Sequence, residues 1–522
     1  MAYKWLVLVS AALFALTGCL GSDDSDGGGG GAQALERPCV RDTAPGTVGM
    51  PSEARIFSWI EDMVGLGFRR TGTPAGYAAS AYVRCQFEKL GLEDVHYEYA
   101  TSWKWSVDKA ALSLGGQPVD AFPSAFSFLT PGEPAKFSTG REGLQAEVVD
   151  VGLGTSLEQQ LRNVKGKVIL FDLKFLLPTA GLLPLMEFLW DPTLSLLDKE
   201  LSVLAPNPYI TTYSTVLKAA MDAGAVGFVG VLADYFDSNR YYNEFYRRTE
   251  VTIPGFWVTA KEGARLRQQI KQGNKQVAMT FEGAREAVQA RSVIGFLPGK
   301  SKETIMVQSH HDSVFHGAVE DGSGVAAVLA QAQYYASQPA ESREKTMMFV
   351  TFDTHFTGYQ AHMAFVDKYI VKQETPYKIV ANITLEHIGK QAVKDADGKL
   401  QVRDQSEMRG IMNNFGLPIK AAMIQAIIKH DLRRTALLQA NVLCAVAGMP
   451  TDASFVCLEG VPTASLISGP LYLYDEADTL DKIDRAQLVP VTRAFIDIID
   501  AVDATPSFLL GLLPVPLPSL GL

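Results

Sequence analysis

From Arg291 to Gly389 short apolar runs alternate with helix-like segments. RSVIGFLPG, ETIMVQSHHD, KTMMFVTFDTH and YKIVANITLEHIG read as strands, with GSGVAAVLAQAQYYA and YQAHMAFVDKYI as helices among them. No hairpin turn joins these strands, and helical crossovers bring a chain back parallel to itself, so the predicted fold is α/β with a mostly parallel central sheet flanked by helices. In such a sheet, functional side chains collect beyond the carboxyl ends of the strands.

Upstream, PSEARIFSWIEDMVGLG predicts an amphipathic helix with Ser52 near its start. A glycine-rich turn in RRTGTPAGYAAS, a second helix and an alternating strand follow, and KAALSLGG adds another strand. The texture changes over residues 143–282, where AEVVDVG, NVKGKVILFDL, KAAMDAGAVGFVGV and VTIPGFWVTAKEG are apolar runs bounded by Gly, Pro or Asp. This pattern predicts a compact β-rich insert standing apart from the main sheet. Within it, the unusually apolar stretch from Lys174 to Ile210 suits core, lid or a surface for lipid or a hydrophobic ligand, and its exposure would also suit a homodimer. The aromatic run DYFDSNRYYNEFY, from Asp234 to Tyr246, is a candidate cleft wall.

The amino terminus sets the compartment. Lys4 precedes LVLVSAALFAL, and LTGC closes the run at Leu16 to Cys19, a layout that predicts a secretory signal over residues 1–19. LTGC resembles a bacterial lipobox, which implies a lipid on Cys19 and anchorage to the cell envelope, on its periplasmic or extracellular face. A flexible tether over residues 20–38 follows. The remaining expected units are an N-terminal part of the main domain (39–142), the insert (143–282), the rest of the main domain (283–503) and an apolar, proline-rich tail (504–522). An exported chain can form disulfides, and proximity pairs Cys444 with Cys457 and Cys39 with Cys85; four separate thiols are the alternative. A net charge of −10 argues against nucleic acid as a partner, since displacing counterions needs a basic surface.

Seven of the eight histidines lie between positions 310 and 430, and polar clusters fall where strands stop: His310, His311 and Asp312; Glu320 and Asp321; His355; Glu386 and His387. Zinc accepts imidazole nitrogen and carboxylate oxygen, so His310, Glu320 and Glu386 are candidate donors of a three-ligand site open to water, with Asp312 orienting a ligand histidine. Each has a plainer reading: HxD as a turn, EDGSG as a helix start, Glu386 as a capping or pairing group. No HExxH helix, Walker loop, dinucleotide-binding glycine pattern or GxSxG elbow offers a competing chemistry.

SHHDSVFHGAVEDGSGVAAVLA, FVTFDTHFTGYQAH, NITLEHIG and TDASFVCLEGVPTASLISGPLYLYDEADTLDKID together resemble the M28 family of zinc peptidases, and RRTGTPAGYAAS its N-terminal region. KGKVILFD, AGAVGFVGV and IPGFWVTAKEG resemble a protease-associated (PA) domain. The resemblance implies a zinc-exopeptidase-like fold and hydrolysis of peptide or related amide bonds, with aminopeptidase the family's common activity. It places the first ligand histidine on His310, the bridging aspartate on Glu320 and the other first-site aspartate on Glu386. The family's Glu-Glu pair falls on His355 and Phe356, and its late histidine on Tyr474. One zinc is therefore expected where the family usually holds two, unless His311, His316, His387 or Asp452 joins. In the implied mechanism His355 is the general base and Tyr474 donates to the developing oxyanion. The same departures fit a non-catalytic binding or scaffold relative.

Overall fold

Ser52 caps the first helix among the described residues. Its Oγ accepts the Arg55 N–H at 3.2 Å, and α1 (Glu53–Gly65) then buries Ile56, Trp59, Ile60 and Met63 at helical spacing. Thr73 caps α2 (Pro74–Leu90), whose first turn carries proline and whose C-cap, Gly91, takes φ 84°, a conformation that favours glycine. The computed structural model describes residues 48–129, 136–176, 179–197, 208, 210–242 and 249–511, all within the unit Arg37–Leu522. The expected signal segment, the tether and residues 512–522 of the tail lie outside the described residues. Among the described residues, no helix is long and apolar enough to cross a membrane.

Two strands of 22 residues, β1 (Glu93–Leu114) and β7 (Gln276–Leu297), pair antiparallel along almost their whole length. Between them the chain forms β2 (Leu144–Asp150), β3 (Val168–Asp172), β4 (Met186–Trp190), β5 (Gly227–Leu232) and β6 (Gly255–Thr259). Strands β2, β3, β5 and β6 are mutually parallel, with α3 (Ser156–Arg162) and α4 (Tyr213–Asp222) connecting them. α5 (Ala260–Lys271) then leads into β7. The insert is thus a small α/β layer, and it does not stand apart as the sequence pattern predicts. β7 pairs with β2 through Gln276–Met279 and with the main sheet through Val293–Leu297, so one long strand joins both regions edge to edge.

The main sheet continues with β8 (Glu303–His310), α6 (Gly324–Ala336), β9 (Thr346–Phe352), α7 (Gln360–Val366) and β10 (Lys378–Leu385). Then come β11 (Arg409–Asn413), α8 (Leu417–Lys429), β12 (Thr435–Gln439), the short helices α9 (Asn441–Val446) and α10 (Ser454–Leu458), β13 (Thr463–Ser468) and α11 (Arg485–Ala504). The strand order is β7–β9–β8–β10–β13–β11–β12–β4. The centre, β9–β8–β10–β13, is parallel. Every residue of β9 is buried, which is why TMMFVTF reads as a continuous apolar run: both sheet faces are covered.

Part of the apolar stretch of the insert is structural. β4 pairs antiparallel with β12 at the far edge of the main sheet, and Leu185, Phe188 and Leu189 pack against the core. Leu176, Leu183, Leu194 and Leu197 stay exposed, and residues 177, 178, 198–207 and 209 lie outside the described residues. Cys444 and Cys457 form the expected disulfide; Cys85 is also disulfide-bonded, while Cys39 lies outside the described residues.

Candidate metal centre

The polar clusters sit at the carboxyl ends of the parallel strands. His310 ends β8, His355 opens a one-turn 3-10 segment after β9, and Glu386 and His387 follow β10. Glu320 lies in the irregular turn Ala318–Ser323 that leads into α6. Thr354 and His387 hold φ of 75° and 55°, a region non-glycine residues rarely adopt, and both flank the cluster. Arg69, fully buried, organises the His311–Gly317 loop. Its guanidinium donates to the carbonyls of His311 (2.9 Å), His316 (2.8 Å) and Gly317 (2.8 Å). Asp478 holds the other side of the turn by accepting the Val319 and Glu320 N–H groups, the latter at 2.8 Å.

Three donors converge. His310 Nε2 is 3.3 Å and His355 Nε2 3.5 Å from Glu320 Oε1, and one atom from each residue lies within 4.8 Å of the others. Two ligands on a tetrahedral zinc at about 2.0–2.2 Å stand about 3.4 Å apart, so these separations match joint coordination better than hydrogen bonding. His310 Nε2 and Glu320 Oε1 are buried and make no hydrogen bond, the condition of atoms shaped for an ion. The donor set thus fits zinc. Among the described residues no other group of three meets this geometry, and Glu386 is not part of it.

The second layer fixes the rings. His310 Nδ1 is 3.1 Å from the Asp312 carbonyl and 3.4 Å from its carboxylate, whose main work is to accept the His355 and Phe356 N–H groups. His355 Nδ1 is 2.6 Å from Asp452 Oδ1, and the other Asp452 oxygen is 3.2 Å from His362 Nε2. His387 Nε2 contacts Glu320 Oε2, while its Nδ1 is 2.8 Å from the Ser468 carbonyl. Burial alone would raise Asp452, but the imidazoles of His362, His355 and His310 hold it well below the usual carboxylate range. Burial and Asp452 push Glu386 well above that range; its Oε1 accepts the Asp452 N–H at 3.1 Å. For His387 burial works downward, and Glu320, Asp321 and Glu386 outweigh it to bring the ring to about 9.

The other expected residues fall nearby. Tyr474 is buried, accepts the Tyr242 N–H through its carbonyl at 2.9 Å, and lines one pocket with Glu320, Phe315, Phe356 and Tyr242. Tyr242 Oη donates to the Phe356 carbonyl at 2.6 Å, so the aromatic run of the insert does form a wall of the site; its residues 243–248 lie outside the described residues. His311 turns to Thr351 Oγ1 (3.1 Å), burial lowering it to about 4, and His316 packs edge-on against Phe68. His387 and Asp452, left undecided by the sequence, are both in the cluster. Arg69, His362 and Asp478 carried no local signal, because their partners lie far along the chain.

Residues 292–499 match the description Peptidase family M28. No curated protein matches the chain in sequence. A peptidase M28 precursor from Shewanella amazonensis SB2B superposes with TM-score 0.65 at 20% identity, covering 88% of this chain and 95% of that one. BSAP, a zinc aminopeptidase from Bacillus subtilis, gives TM-score 0.60 at 17% identity over 88% and 98%. An aminopeptidase from Aneurinibacillus sp. strain AM-1 gives 0.55 at 17% over 86% and 92%. At these identities the likeness is one of fold.

Proposed function

The chain carries a peptidase family M28 domain over residues 292–499, and from that premise we propose that it is a metal-dependent hydrolase of peptide or related amide bonds, working with one zinc ion. The observation that carries this reading is the convergence of His310, Glu320 and His355 at the strand ends of that domain. Zinc at such a set supplies Lewis acidity toward a carbonyl and toward water. Asp312 holds His310 and the 355–356 backbone in register, and His387 holds the second oxygen of Glu320. Tyr474 lines the pocket shared with Glu320, and in this reading its phenol donates to a carbonyl oxygen as negative charge builds there. Val314, Phe315, Phe356 and Leu473 line the same pocket and favour a substrate with an apolar group.

His355 has two competing assignments. In the sequence-based mechanism it takes the proton of the attacking water, as an imidazole of pKa about 6.5 can, and Glu386 completes the donor set. In the other it is itself the third donor, which the distances favour. Hydrolysis is compatible with either. The rival function, a binding or scaffold protein, is favoured by Phe356 and Tyr474, which bring a phenyl ring and a phenol to a wall of the site. Zinc analysis together with a screen of N-free and N-blocked amides decides between them. One zinc per chain and chelator-sensitive turnover are expected; neither zinc nor turnover would favour the binding reading. Export and lipid anchorage through Cys19 complete the proposal, and unchanged membrane association of Cys19→Ala would remove the anchor from it.

A further inference from the structure

Building on the reading of this cluster as a metal centre, we infer that His355 has been recruited as a metal donor in this chain, and that Asp452 and His362 are the residues that position it. His310 and His355 present the same arrangement. Each turns Nε2 toward Glu320 Oε1, at 3.3 Å and 3.5 Å, and each has Nδ1 against a protein acceptor, the Asp312 carbonyl at 3.1 Å and Asp452 Oδ1 at 2.6 Å. An imidazole whose Nδ1–H is held by an acceptor offers its lone pair at Nε2, the usual state of a ligating histidine. A general base would instead face the opening through which substrate arrives. Among the described residues, Glu320 lines the pocket that opens beside the cluster and His355 does not.

Asp452 is itself held from several sides. Its N–H donates to Glu386 Oε1 (3.1 Å), its second oxygen lies 3.2 Å from His362 Nε2 in an ion-pair contact outside hydrogen-bond geometry, and the next N–H, from Ala453, donates to Thr451 Oγ1 (3.0 Å). The Cys444–Cys457 disulfide closes the loop on which it sits. His362 is fixed in turn, its ring stacked on Phe352 at 4.1 Å between centroids. Glu386, occupied with the Asp452 amide, stands outside the donor group. The centre is therefore two imidazoles and one carboxylate, where the sequence-based set of His310, Glu320 and Glu386 has one imidazole and two carboxylates.

The test is zinc binding by the full chain, read by metal content, by competition with a chromophoric chelator and by X-ray absorption. The wild-type absorption spectrum should require two imidazoles per zinc, a measurement that needs no variant. H355Q should lose zinc affinity at least tenfold while E386Q keeps it within threefold. D452A and H362F should weaken zinc by about 10–100-fold, with D452N, which still accepts from Nδ1–H, recovering part of the loss. Thermal melts of the metal-stripped variants guard against a merely structural effect, which would lower stability without changing the imidazole count. A one-imidazole spectrum, zinc retained by H355Q, zinc lost from E386Q, or a wild type that binds no zinc overturns the donor assignment. Unchanged affinity in D452A and H362F overturns the positioning role. A two-imidazole zinc protein that cleaves none of the amides supports this inference and defeats the hydrolase reading alone.

Discussion

Glu320 has two unlike sides. On one, His310, His355, Asp452 and His362 form a buried polar network; on the other, Tyr242, Phe315, Phe356 and Tyr474 form an aromatic wall. The chain passes from one to the other within a single peptide. The His355 ring stacks on His310 at 3.9 Å between centroids, while Phe356 meets Tyr242 edge-on at 5.0 Å. A buried cation needs paired anions and lone pairs around it, which the imidazole side provides. The aromatic side offers contact area and a phenol. One cleft thus presents two chemistries, and the proposed function gives ion binding to the imidazole side and substrate packing to the aromatic side.

The largest effect should come from the imidazole side. His310→Ala removes a donor outright, so zinc affinity should fall by more than the roughly hundredfold typical of losing an outer partner, with turnover falling in step. Zinc retention by this variant, measured by chelator competition, would erase the distinction between the sides. Phe356→Ala should do the converse. Truncating this buried ring should cost about 3 kcal/mol in urea unfolding, while zinc affinity stays within threefold. A matching loss of zinc there would mean that the aromatic wall also shapes the ion site.

The third test concerns the carboxylate that bridges the two sides. Asp478 lines the aromatic pocket yet holds the Glu320 amide, and burial raises it to about 7 despite the N–H bonds that pull it down. Because the folded value lies above the unfolded one, its stabilisation is complete below pH about 4 and is lost as pH rises through about 7. Asp478 should therefore contribute a loss on the order of 2 kcal/mol between pH 5 and pH 8 in metal-stripped protein, and Asp478→Asn should make the slope shallower by that share. An unchanged slope in the variant would leave it to Asp353, Glu407 and Asp475, which burial also raises to about 7.

Legibility followed the range of the contacts that decide each feature. The central parallel strands were legible because burial on both faces leaves an unbroken apolar run, as in β9. The full length of β1 was not: its alternation slips at bulges between Glu93 and His96 and between Val107 and Lys109, so only parts of it read as strand. β4 was hidden because its pairing to β12 is non-local and its sequence is simply apolar. At the site, residue types at strand ends marked His310, Glu320 and His355, but ring direction is a tertiary fact. Thr354 at φ 75° turns the chain so that His355 faces Asp452 and His310, and no spacing rule anticipates that turn.

The smallest expected effect lies on the aromatic side. Tyr474→Phe keeps the ring and removes only the hydroxyl, so packing and zinc content should stay as they are. If the phenol donates to a carbonyl oxygen as charge develops, the loss appears in kcat with KM little changed, since the bond strengthens only as the transition state is approached. About a tenfold drop, near 1.4 kcal/mol, is expected, below the effect of losing a rigid backbone-aligned donor because a side-chain phenol at a pocket wall leaves room for water to substitute. A rise in KM at constant kcat would instead make Tyr474 a ground-state contact. The aromatic side would then be purely a binding surface, and the catalytic work would fall entirely to the imidazole side.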